Sequence, residues 1–482
     1  MGYINGVTRN QGVLFPATLE EQVDEDNEVR VIDAFVGSLE FEELGFVRGQ
    51  AADTGRPGYD PRILLAIYIW GHLNRIRSSR RLEKECARNV ELMWLSGLLK
   101  PDFKTLCRFR QENAKAIAEV LVEFRRWCQK EGLFGNEIVA IDGSKFKAVN
   151  SRERSVTPEK LAKWIEREKQ LVAEYMAELE ETDEDDSRNE PKKLSAEELR
   201  EKIEKLGKSV KENEKTLEEM EESGEHRRSL TDRDARMMKT PKGMEVSYNI
   251  QTAVDAKYKM IATVEVTNEL NDHRMLDVMA LKAKEDLGVE EITSLNDGGY
   301  YTPEAIKRCE ENGVEVYVPI RSNKKTEKYF PREKFEYDRE QDVYKCPAGE
   351  ELRLVTHGAK TGSLAKNVRI YATKACAGCA FRVQCTRSKY GRRIKRWIHE
   401  EVIERLEKRL AENPEMLRMR KSIVEHPFGT MKTAMGHREL LMKGLKNVGT
   451  EINLTVLSYN IKRAISVLGA AVVIDRLKMQ AA

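Results

Sequence analysis

Apolar residues recur at helical spacing in the first part of the chain. Over residues 59–113 they follow three- and four-residue steps, and Pro61 stands where the first turn of a helix accepts proline. A longer helix is expected at about 104–128. These stretches predict an all-helical N-terminal domain over residues 1–130. Basic residues crowd residues 59–113, among them Arg75, Arg77, Arg80, Arg81, Arg88, Arg108 and Arg110. The domain is therefore a candidate DNA-binding head, with a solvated helical surface as the alternative.

Short β-branched apolar runs that end in an acid predict strands further along. Residues 137–141 lead into Asp142, and residues 291–295 lead into Asn296 and Asp297. We expect each run to be a buried strand with an aspartate at its end. Further strands are expected at 245–255, 260–267 and 314–320, and a helix at about 273–285. The alternation predicts an α/β core over residues 131–465.

Residues 158–222 have a different periodicity. In their second half, apolar residues follow the steps of a heptad seam: Leu199, Ile203, Leu206, Val210 and Leu217. Their first half contributes Leu161, Trp164, Ile165, Leu171, Val172, Met176 and Leu179. An acidic stretch and Pro191 separate the halves. The pattern predicts an antiparallel helical hairpin, inserted into the core over residues 155–225, with its charges on a solvated face.

Residues 322–398 show neither helical nor strand periodicity, which predicts an irregular, basic insert. Four of the eight cysteines cluster in it: Cys346, Cys376, Cys379 and Cys385. Four thiolates complete a closed tetrahedral site, and zinc is a commoner partner than a disulfide for such a set inside a cell, so we expect structural Zn²⁺. Free thiols are the alternative. The remainder predicts helices from Glu400 onward, ending in a helical tail over residues 440–482.

The densest basic cluster in the chain follows these cysteines. It consists of Arg387, Lys389, Arg392, Arg393, Lys395 and Arg396, interleaved with Tyr390 and Trp397. Cations next to aromatic rings suit a nucleic-acid backbone, which makes this cluster the best candidate surface for DNA phosphates. A flexible basic loop is the alternative.

Composition narrows the function classes only slightly. The charged fraction is 34% but nearly balanced, with a formal net charge of +2, so overall charge does not indicate a nucleic-acid partner. The N-terminus has no secretory pattern, and the longest apolar stretch, about 465–474, is roughly half of a membrane-spanning helix. We expect a cytoplasmic protein with no membrane contact. Nucleotide-binding glycine loops are absent from the sequence, and His426 is interpreted as structural.

Three acids are candidates for catalysis: Asp142, Asp297 and Glu425. Cutting or transferring a phosphodiester needs two divalent cations about 3.5–4 Å apart, to activate the attacking oxygen and stabilise the leaving one. Mg²⁺ prefers oxygen ligands, and carboxylates from adjacent strands and a helix can supply them. Taken singly, each strand-end aspartate before glycine has a simpler explanation as a turn former.

The residues around the three acids resemble those of the DDE transposases of bacterial insertion sequences, in the group with a Tyr-Arg-Glu-Lys signature. The three blocks are Ala140-Ile-Asp-Gly-Ser-Lys145, Asn296-Asp-Gly-Gly-Tyr-Tyr301 and Val424-Glu-His-Pro-Phe-Gly429, with Lys432 seven positions after the glutamate. Residues 231–236, 248–255, 271–273, 13–16 and the N-terminal helices fit as well, so the resemblance covers nearly the whole chain. It implies a ribonuclease H-like core, a mixed sheet with flanking helices.

The sequence departs from the signature at two positions. Arg418 stands where the family has tyrosine, and Lys421 where it has arginine. Lysine lacks the planar, bidentate grip of arginine on phosphate. The neighbouring Arg418 and Arg420 could compensate, so these positions, and not the triad, are in question.

The resemblance implies a transposase that binds the terminal inverted repeats of its element and a target duplex, as a homodimer on paired ends in the bacterial nucleoid. Asp142, Asp297 and Glu425 would hold two Mg²⁺ or Mn²⁺ ions for strand cleavage and for attack by the freed 3′-hydroxyl. Lys432 would contact the phosphate backbone, with Asn296 and Lys145 supporting the carboxylates. Two alternatives stay open: a two-metal nuclease on the same fold, and an inert or domesticated protein that binds element ends.

Overall fold

The computed structural model describes residues 18–47, 58–151, 153–184, 195–320, 329–357 and 367–481. The stretch 13–16, which fits the family resemblance, lies outside the described residues. The chain divides into two compact units. The first consists of Met1–Asn136, Asp142–Asn271 and Ile423–Ala482, and the second of Glu137–Ile141 and Asp272–Ser422.

Helices and strands are numbered along the described chain. The helices are α1 (Glu28–Gly37), α2 (Pro61–Leu73), α3 (Ser79–Cys86), α4 (Val90–Leu95), α5 (Phe103–Glu112), α6 (Ala114–Lys130), α7 (Pro158–Glu184), α8 (Ala196–Ser223), α9 (Leu276–Leu287), α10 (Pro303–Glu311), α11 (Arg382–Cys385), α12 (Glu400–Glu412), α13 (Glu415–Gly429), α14 (Leu445–Leu468) and α15 (Ala470–Ala481). The strands are β1 (Ile138–Lys147), β2 (Ser155–Val156), β3 (Arg228–Ser229), β4 (Arg236–Thr240), β5 (Gly243–Asp255), β6 (Ile261–Thr267), β7 (Ile292–Leu295), β8 (Val314–Tyr317), β9 (Glu336–Asp338), β10 (Val343–Lys345), β11 (Glu351–His357), β12 (Val368–Ala372) and β13 (Arg393–Trp397).

The N-terminal segment of the first unit is helical, as the sequence predicts, and Pro61 opens α2. The single helix expected at 104–128 is wrong, because Asn113 interrupts it between α5 and α6. The Asn113 side chain donates to the carbonyl of Phe109 at 2.8 Å and accepts from the amide of Val47 at 2.7 Å. These bonds offer local backbone groups an alternative to a continuous helix.

Strand β5 is the centre of the sheet in the first unit, where the strand order is β2-β3-β4-β5-β1. The first part of β5 pairs antiparallel with β4 and its second part with β6. From Val246 to Asp255 every residue of β5 is buried. The strands expected at 245–255 and 260–267 are thereby confirmed.

Strand β1 is longer than the sequence predicts. We expected it to end at Asp142, but it continues to Lys147, so Asp142 lies inside the strand. The residues after Asp142 carry no apolar run, and their backbone is held as a strand beside β5. In the second unit, the first part of β1 pairs in parallel with β7, with Ala140 beside Leu295.

The second unit contains two sheets. In one, β1, β7 and β8 are parallel neighbours, and α10 joins β7 to β8. The other is a five-stranded antiparallel sheet in the order β13-β12-β11-β10-β9. Its core residues are Phe335, Tyr344, Leu352, Tyr371 and Ile394. The prediction of an irregular segment at 322–398 is therefore wrong for much of its described part. The strands are short and carry charged residues at alternating positions, which hides them from a search for apolar runs.

Helices α7 and α8 pack together, and both helices of the predicted hairpin are confirmed. Helix α8 begins with a capping box formed by Ser195 and Glu198. The apolar core near the base contains Val156, Leu161, Ile165, Val210, Met220 and Leu230. Not every charge lies on a solvated face: Glu168 is 9% exposed and accepts hydrogen bonds from Ser209 and Asn213 at 2.9 and 3.0 Å. Met176, assigned to the apolar seam, is 52% exposed.

The stretch 231–236 holds the start of the long helix α14. The carboxylate of Asp232 accepts from the amide of Gly444 at 3.1 Å, and that of Asp234 accepts from the amide of Leu445 at 2.9 Å. Carboxylates at a helix N-terminus satisfy free amides and complement the helix dipole. Arg233, between them, donates to α8. One short segment thus ties the hairpin and α14 to the sheet of the first unit.

Helices α14 and α15 follow each other at the C-terminal end of the described chain. Within the described part of the chain, no single helix is long and apolar enough to cross a membrane. Leu445–Leu468 and Ala470–Gln480, which meet at a bend of 111°, have the length and apolar composition of a membrane span only when they are taken together.

Two histidines are buried side by side in the first unit. The rings of His72 and His437 have centroids 5.1 Å apart, and the residues are 0% and 2% exposed. His437 Nδ1 lies 2.8 Å from Thr455 Oγ1, which donates to the carbonyl of Glu451 and so accepts from His437. Burial lowers the pKa of His437 to about 3 and lowers the pKa of His72 as well.

These histidines predict a loss of stability in mild acid. Because the folded pKa of His437 is depressed, the unfolded chain binds more protons between about pH 6.5 and 3, and stability falls as pH falls through that window. From pH 6.5 to 5 this one group costs about 2 kcal/mol. We expect His437→Asn to reduce the acid sensitivity measured by chemical unfolding at pH 7.5 and 5, whereas the exposed His226→Asn should not. An unchanged acid sensitivity in His437→Asn would contradict the assignment.

Candidate active site

Asp142 lies in β1 of the first unit and is half-buried. Lys432 approaches the residues that follow it. The Lys432 ammonium donates to Ser144 Oγ at 2.6 Å and to the carbonyl of Lys145 at 2.9 Å, and it lies 4.5 Å from the centre of the Phe146 ring. Burial lowers the pKa of Lys432 to about 8, while the nearby Asp142 carboxylate acts in the opposite direction. The structure therefore brings two predicted site residues, Asp142 and Lys432, into one electrostatic neighbourhood.

Glu425 lies inside α13 and is exposed, between the buried Val424 and the exposed His426. His426 Nδ1 lies 3.0 Å from the hydroxyl of Tyr459, which itself donates to the carbonyl of Lys259 at 2.7 Å. His426 thus donates to Tyr459 and anchors the helix next to Glu425. This contact agrees with the structural interpretation of His426.

After α13 the chain changes helical form. Pro427 stands inside the helix two residues after Glu425, and a π-helical turn follows at Thr430–Ala434. Wider turns of this kind are frequent at functional sites, because they change where a side chain is presented. Here the turn carries Lys432, so the straight helical spacing from Glu425 to Lys432 does not hold.

Asp297 follows β7 in the second unit, as predicted, and caps a short 3₁₀ turn. Its carboxylate accepts from the amide of Gly299 at 2.6 Å. A Cβ atom at Gly299 would lie 2.7 Å from Asp297 Oδ1, so a side chain at position 299 would displace this carboxylate. The buried Asn296 donates to the carbonyl and hydroxyl of Ser294 at 3.1 and 3.0 Å, which supports the same turn.

Arg420 is the side chain that reaches Asp297 within this unit. Its Nη2 lies 3.8 Å from Asp297 Oδ2, and the side chain is 11% exposed. Lys421 and Arg418, the residues aligned with the family signature, are exposed. Alignment to the signature pointed to position 421. The only sequence signal for Arg420 was its place immediately before position 421.

The three predicted carboxylate ligands are divided between the two units. Asp142 and Glu425 belong to the first unit and Asp297 to the second. In the described ranges, no three His, Cys, Asp or Glu side chains are already arranged to hold a metal ion. Metal binding by the carboxylates and by the cysteines therefore stays a prediction.

The four clustered cysteines line one cavity of the second unit, beside Phe330, Phe335 and Phe381. Burial raises the pKa of the Cys385 thiol, and the nearby Cys376, Cys346 and Cys379 raise that pKa further, whereas Arg392 lowers it. The glycine after Tyr390, Gly391, has φ +83°, and a Cβ there would lie 2.7 Å from Cys376 Cβ. Residues far apart in sequence are thus gathered around the four sulfurs.

The basic cluster separates into exposed and internal members. Arg393 and Lys395 alternate on β13 and are exposed. Arg396, on the opposite face, is 7% exposed and donates to Glu404 at 2.8 Å. Arg392 donates to the carbonyl of Cys385 at 3.1 Å and lies over the Phe335 ring at 5.0 Å. The DNA-contact interpretation of Arg396 and Arg392 therefore needs correction, because their guanidinium groups are used inside the protein.

The arginines of the N-terminal helices divide in the same way. Arg77 forms an ion pair with the buried Glu451 at 2.7 Å, and the buried Arg110 lies over the Tyr68 ring at 5.3 Å. Of the seven arginines that the sequence singles out, Arg75, Arg80, Arg81, Arg88 and Arg108 are exposed, so they are the ones among the seven that are accessible to a partner outside the chain.

Comparison with known proteins identifies two separate stretches. Residues 17–112 match the family model of a transposase domain (DUF772), and residues 345–465 match that of a transposase DDE domain. The second stretch contains Glu425, Lys432 and the four cysteines. Searches of curated proteins and of solved structures found no match. Both matches are to transposase domains, and together they support the resemblance of this chain to the DDE transposases of insertion sequences.

Proposed function

We propose that this protein binds the ends of its element and catalyses two-metal cleavage of DNA, followed by transfer of the 3′-hydroxyl end to a target duplex. Asp142, Asp297 and Glu425 are the proposed metal ligands. The transposase family matches support the class of reaction. The assignment of individual residues rests on the sequence blocks and on the geometry of each unit.

The register of the parallel strands is the observation that carries the proposal. Within the second unit, Ala140 of β1 lies beside Leu295 of β7. Asp142 and Asp297 each follow that pair by two positions in the chain. Asp142 lies within β1 and Asp297 follows the end of β7, so each carboxylate stands two residues beyond a paired strand position, a spacing that suits ligands of shared cations. Two aspartates that only formed turns would not need to follow the paired residues Ala140 and Leu295 at the same distance.

The chemistry of the donor set fits Mg²⁺ or Mn²⁺, since all three proposed ligands are carboxylates. When bound, the cations would supply activation of the attacking oxygen and stabilisation of the leaving oxygen. The chain's own residues prepare the ligands. Gly299 and Arg420 orient Asp297, Asn296 supports its turn, and Ser144 and Lys145 hold Lys432 near Asp142.

The strand connections support a ribonuclease H-like core. In the first unit β6, β5 and β1 are successive neighbours, and in the second unit β1, β7 and β8 are. Strand β1 is common to both. The antiparallel pair β5 and β6 in the first unit, and the parallel pairs β1–β7 and β7–β8 in the second, are pairings that the implied mixed sheet requires.

The proposed partner is duplex DNA, both the terminal inverted repeats and the target, held by a homodimer on paired ends. Exposed cations suited to its phosphates include Arg393, Lys395, Lys421 and Arg418. Phosphate contacts fix register and orientation without reading base sequence. The second unit thus offers a backbone-contact surface on the exposed face of β13.

We also propose a structural Zn²⁺ held by Cys346, Cys376, Cys379 and Cys385. Their soft sulfur donors suit zinc, and four protein ligands leave no open position for catalysis. The site would tie the turn at 374–391 to the five-stranded sheet. Bound in this way, zinc would stabilise the segment that presents Arg393 and Lys395.

A nuclease on the same fold and an inert binder of element ends are the competing functions. A 3′-end-labelled joining assay separates a transferase from a nuclease, because only a transferase links the labelled end to a second duplex. The presence of all three acids disfavours an inert binder.

Removal of any of the three carboxylates should abolish cleavage. We expect Asp142→Ala, Asp297→Ala and Glu425→Ala each to reduce Mg²⁺-dependent cutting at the element end by at least about 1000-fold, because metal ions supply several kcal/mol of transition-state stabilisation. DNA affinity in EDTA should stay within about twofold of wild type. The matched control is Glu415→Ala, an exposed acid of the same helix, which should cut normally. Normal cutting by a triad variant would contradict the assignment.

The exposed and internal arginines of β13 should behave differently. Arg393→Ala and Lys395→Ala should each weaken DNA binding at all sequences and reduce the slope of log K against log salt by roughly 1. Arg396→Ala should instead lower the free energy of unfolding by about 2 kcal/mol, because a charge-assisted hydrogen bond to Glu404 is lost. Equal salt slopes for wild type and both surface variants would exclude this surface.

Zinc should be measurable directly. Elemental analysis of the purified chain is expected to give one zinc per protein, and Cys379→Ser should lower both the zinc content and the midpoint of thermal unfolding. Cys107→Ser, an isolated cysteine, is the control and should change neither. Absence of zinc after purification and after incubation with Zn²⁺ would overturn the assignment.

A further inference from the structure

The ammonium of Lys432 is already engaged inside the first unit. A lysine has three donor hydrogens and no acceptor. Two hydrogen bonds, to Ser144 Oγ and to the carbonyl of Lys145, join it to β1, and the Phe146 ring lies within cation–π distance. The family resemblance implies that this lysine contacts a phosphate of DNA. In this structure its contacts are with the strand that carries Asp142.

Further contacts fasten the same segment to β1. Lys147 forms an ion pair with Glu439 at 2.7 Å, and the amide of Leu440 donates to the carbonyl of Lys147 at 2.8 Å. The rings of Phe146 and Phe428 have centroids 6.3 Å apart. The chain that leaves the Glu425 helix is therefore attached along β1 by charge, backbone and ring contacts. Lys432 is the attachment nearest to Asp142.

We infer that Lys432 is a positioning residue: by bonding Ser144 and the Lys145 carbonyl, it sets the placement of the Glu425 helix relative to Asp142. Ser144 is its required partner. The inference rests on the proposed function of the two carboxylates as metal ligands. It assigns Lys432 a task within the protein in place of a contact to DNA.

Electrostatics gives this arrangement a second effect. Carboxylates that are to share cations repel each other before the cations bind. The Lys432 charge lies close enough to Asp142 for the two groups to influence each other. A fixed ammonium therefore offsets part of the repulsion and keeps the ligands in place. Two of the three donor hydrogens of Lys432 are already taken by Ser144 and Lys145, and the side chain is half-buried, which opposes a direct DNA contact.

DNA binding in EDTA distinguishes the two tasks without metal or catalysis. We expect Lys432→Met to keep the wild-type affinity within about twofold and the wild-type salt slope, because no phosphate contact is removed. Lys395→Met is the matched control for an exposed lysine and should reduce the slope by roughly 1. If Lys432→Met reduces the slope as the control does, the lysine contacts phosphate and the inference is overturned.

Metal binding to the DNA-free protein tests the positioning itself. Mn²⁺ titration followed by electron paramagnetic resonance should show about tenfold weaker binding for Ser144→Ala, which keeps the lysine charge but removes one of its anchors. Ser144→Thr keeps the hydroxyl and should return to within about twofold of wild type. Thermal unfolding of the variants checks that the fold is intact.

Asp142→Ala separates failure of this inference from failure of the proposed function. Loss of Mn²⁺ binding in Asp142→Ala together with wild-type binding in Ser144→Ala would overturn the positioning role and leave the carboxylate site standing. Wild-type Mn²⁺ binding in Asp142→Ala would overturn the proposed metal site, and the inference with it. Weaker binding in both, with rescue by Ser144→Thr, supports the inference.

Discussion

The backbone pairing of β1 is the constraint on which both units depend. Its first residues pair in parallel with β7, and its later residues lie beside β5 and receive Lys432, Glu439 and Leu440. A strand fixed along its whole length leaves its side chains little freedom. Asp142, in the middle of β1, is therefore presented from a rigid element, as precise catalysis requires.

The two units hold their carboxylates in different ways. In the first unit, Asp142 has a lysine nearby, and Glu425 stands on a helix anchored through His426 and Tyr459. In the second, Asp297 is held by a backbone amide and faces Arg420. Asp142 and Asp297 each have positive charge or a hydrogen-bond donor close by. Such groups oppose repulsion between acids without occupying the oxygen atoms completely.

Much of this organisation is readable from sequence. The helices of the N-terminal segment, the two hairpin helices and strands β5, β6 and β7 follow apolar periodicities, which are local signals. The end of β1 was missed because residues 143–147 owe their extended form to neighbours that are distant in sequence. The five-stranded sheet was missed because its strands are short and alternate core residues with charges such as Arg393 and Lys395.

The candidate site, too, was only partly predictable from the sequence. The three acids and Lys432 were found through blocks that resemble a family, and two family-model matches support that resemblance. Which arginines are free for DNA could not be found, because sequence gives charge but not burial. Arg393 and Arg396 are the same residue type in the same basic cluster, yet they lie on opposite faces of one strand. The contact of Arg420 with Asp297 was missed for a related reason. The signature marks position 421, and the fold is needed to show which side chain reaches Asp297.

Iron-mediated cleavage of the polypeptide would test most directly whether the three carboxylates share one metal site. Fe²⁺ placed in the site with ascorbate and peroxide generates radicals that cut the nearby backbone. The expected result is cleavage near Asp142, Asp297 and Glu425 together, suppressed by excess Mg²⁺. Cuts confined to one of these segments, or cuts that Mg²⁺ does not suppress, would contradict a shared site.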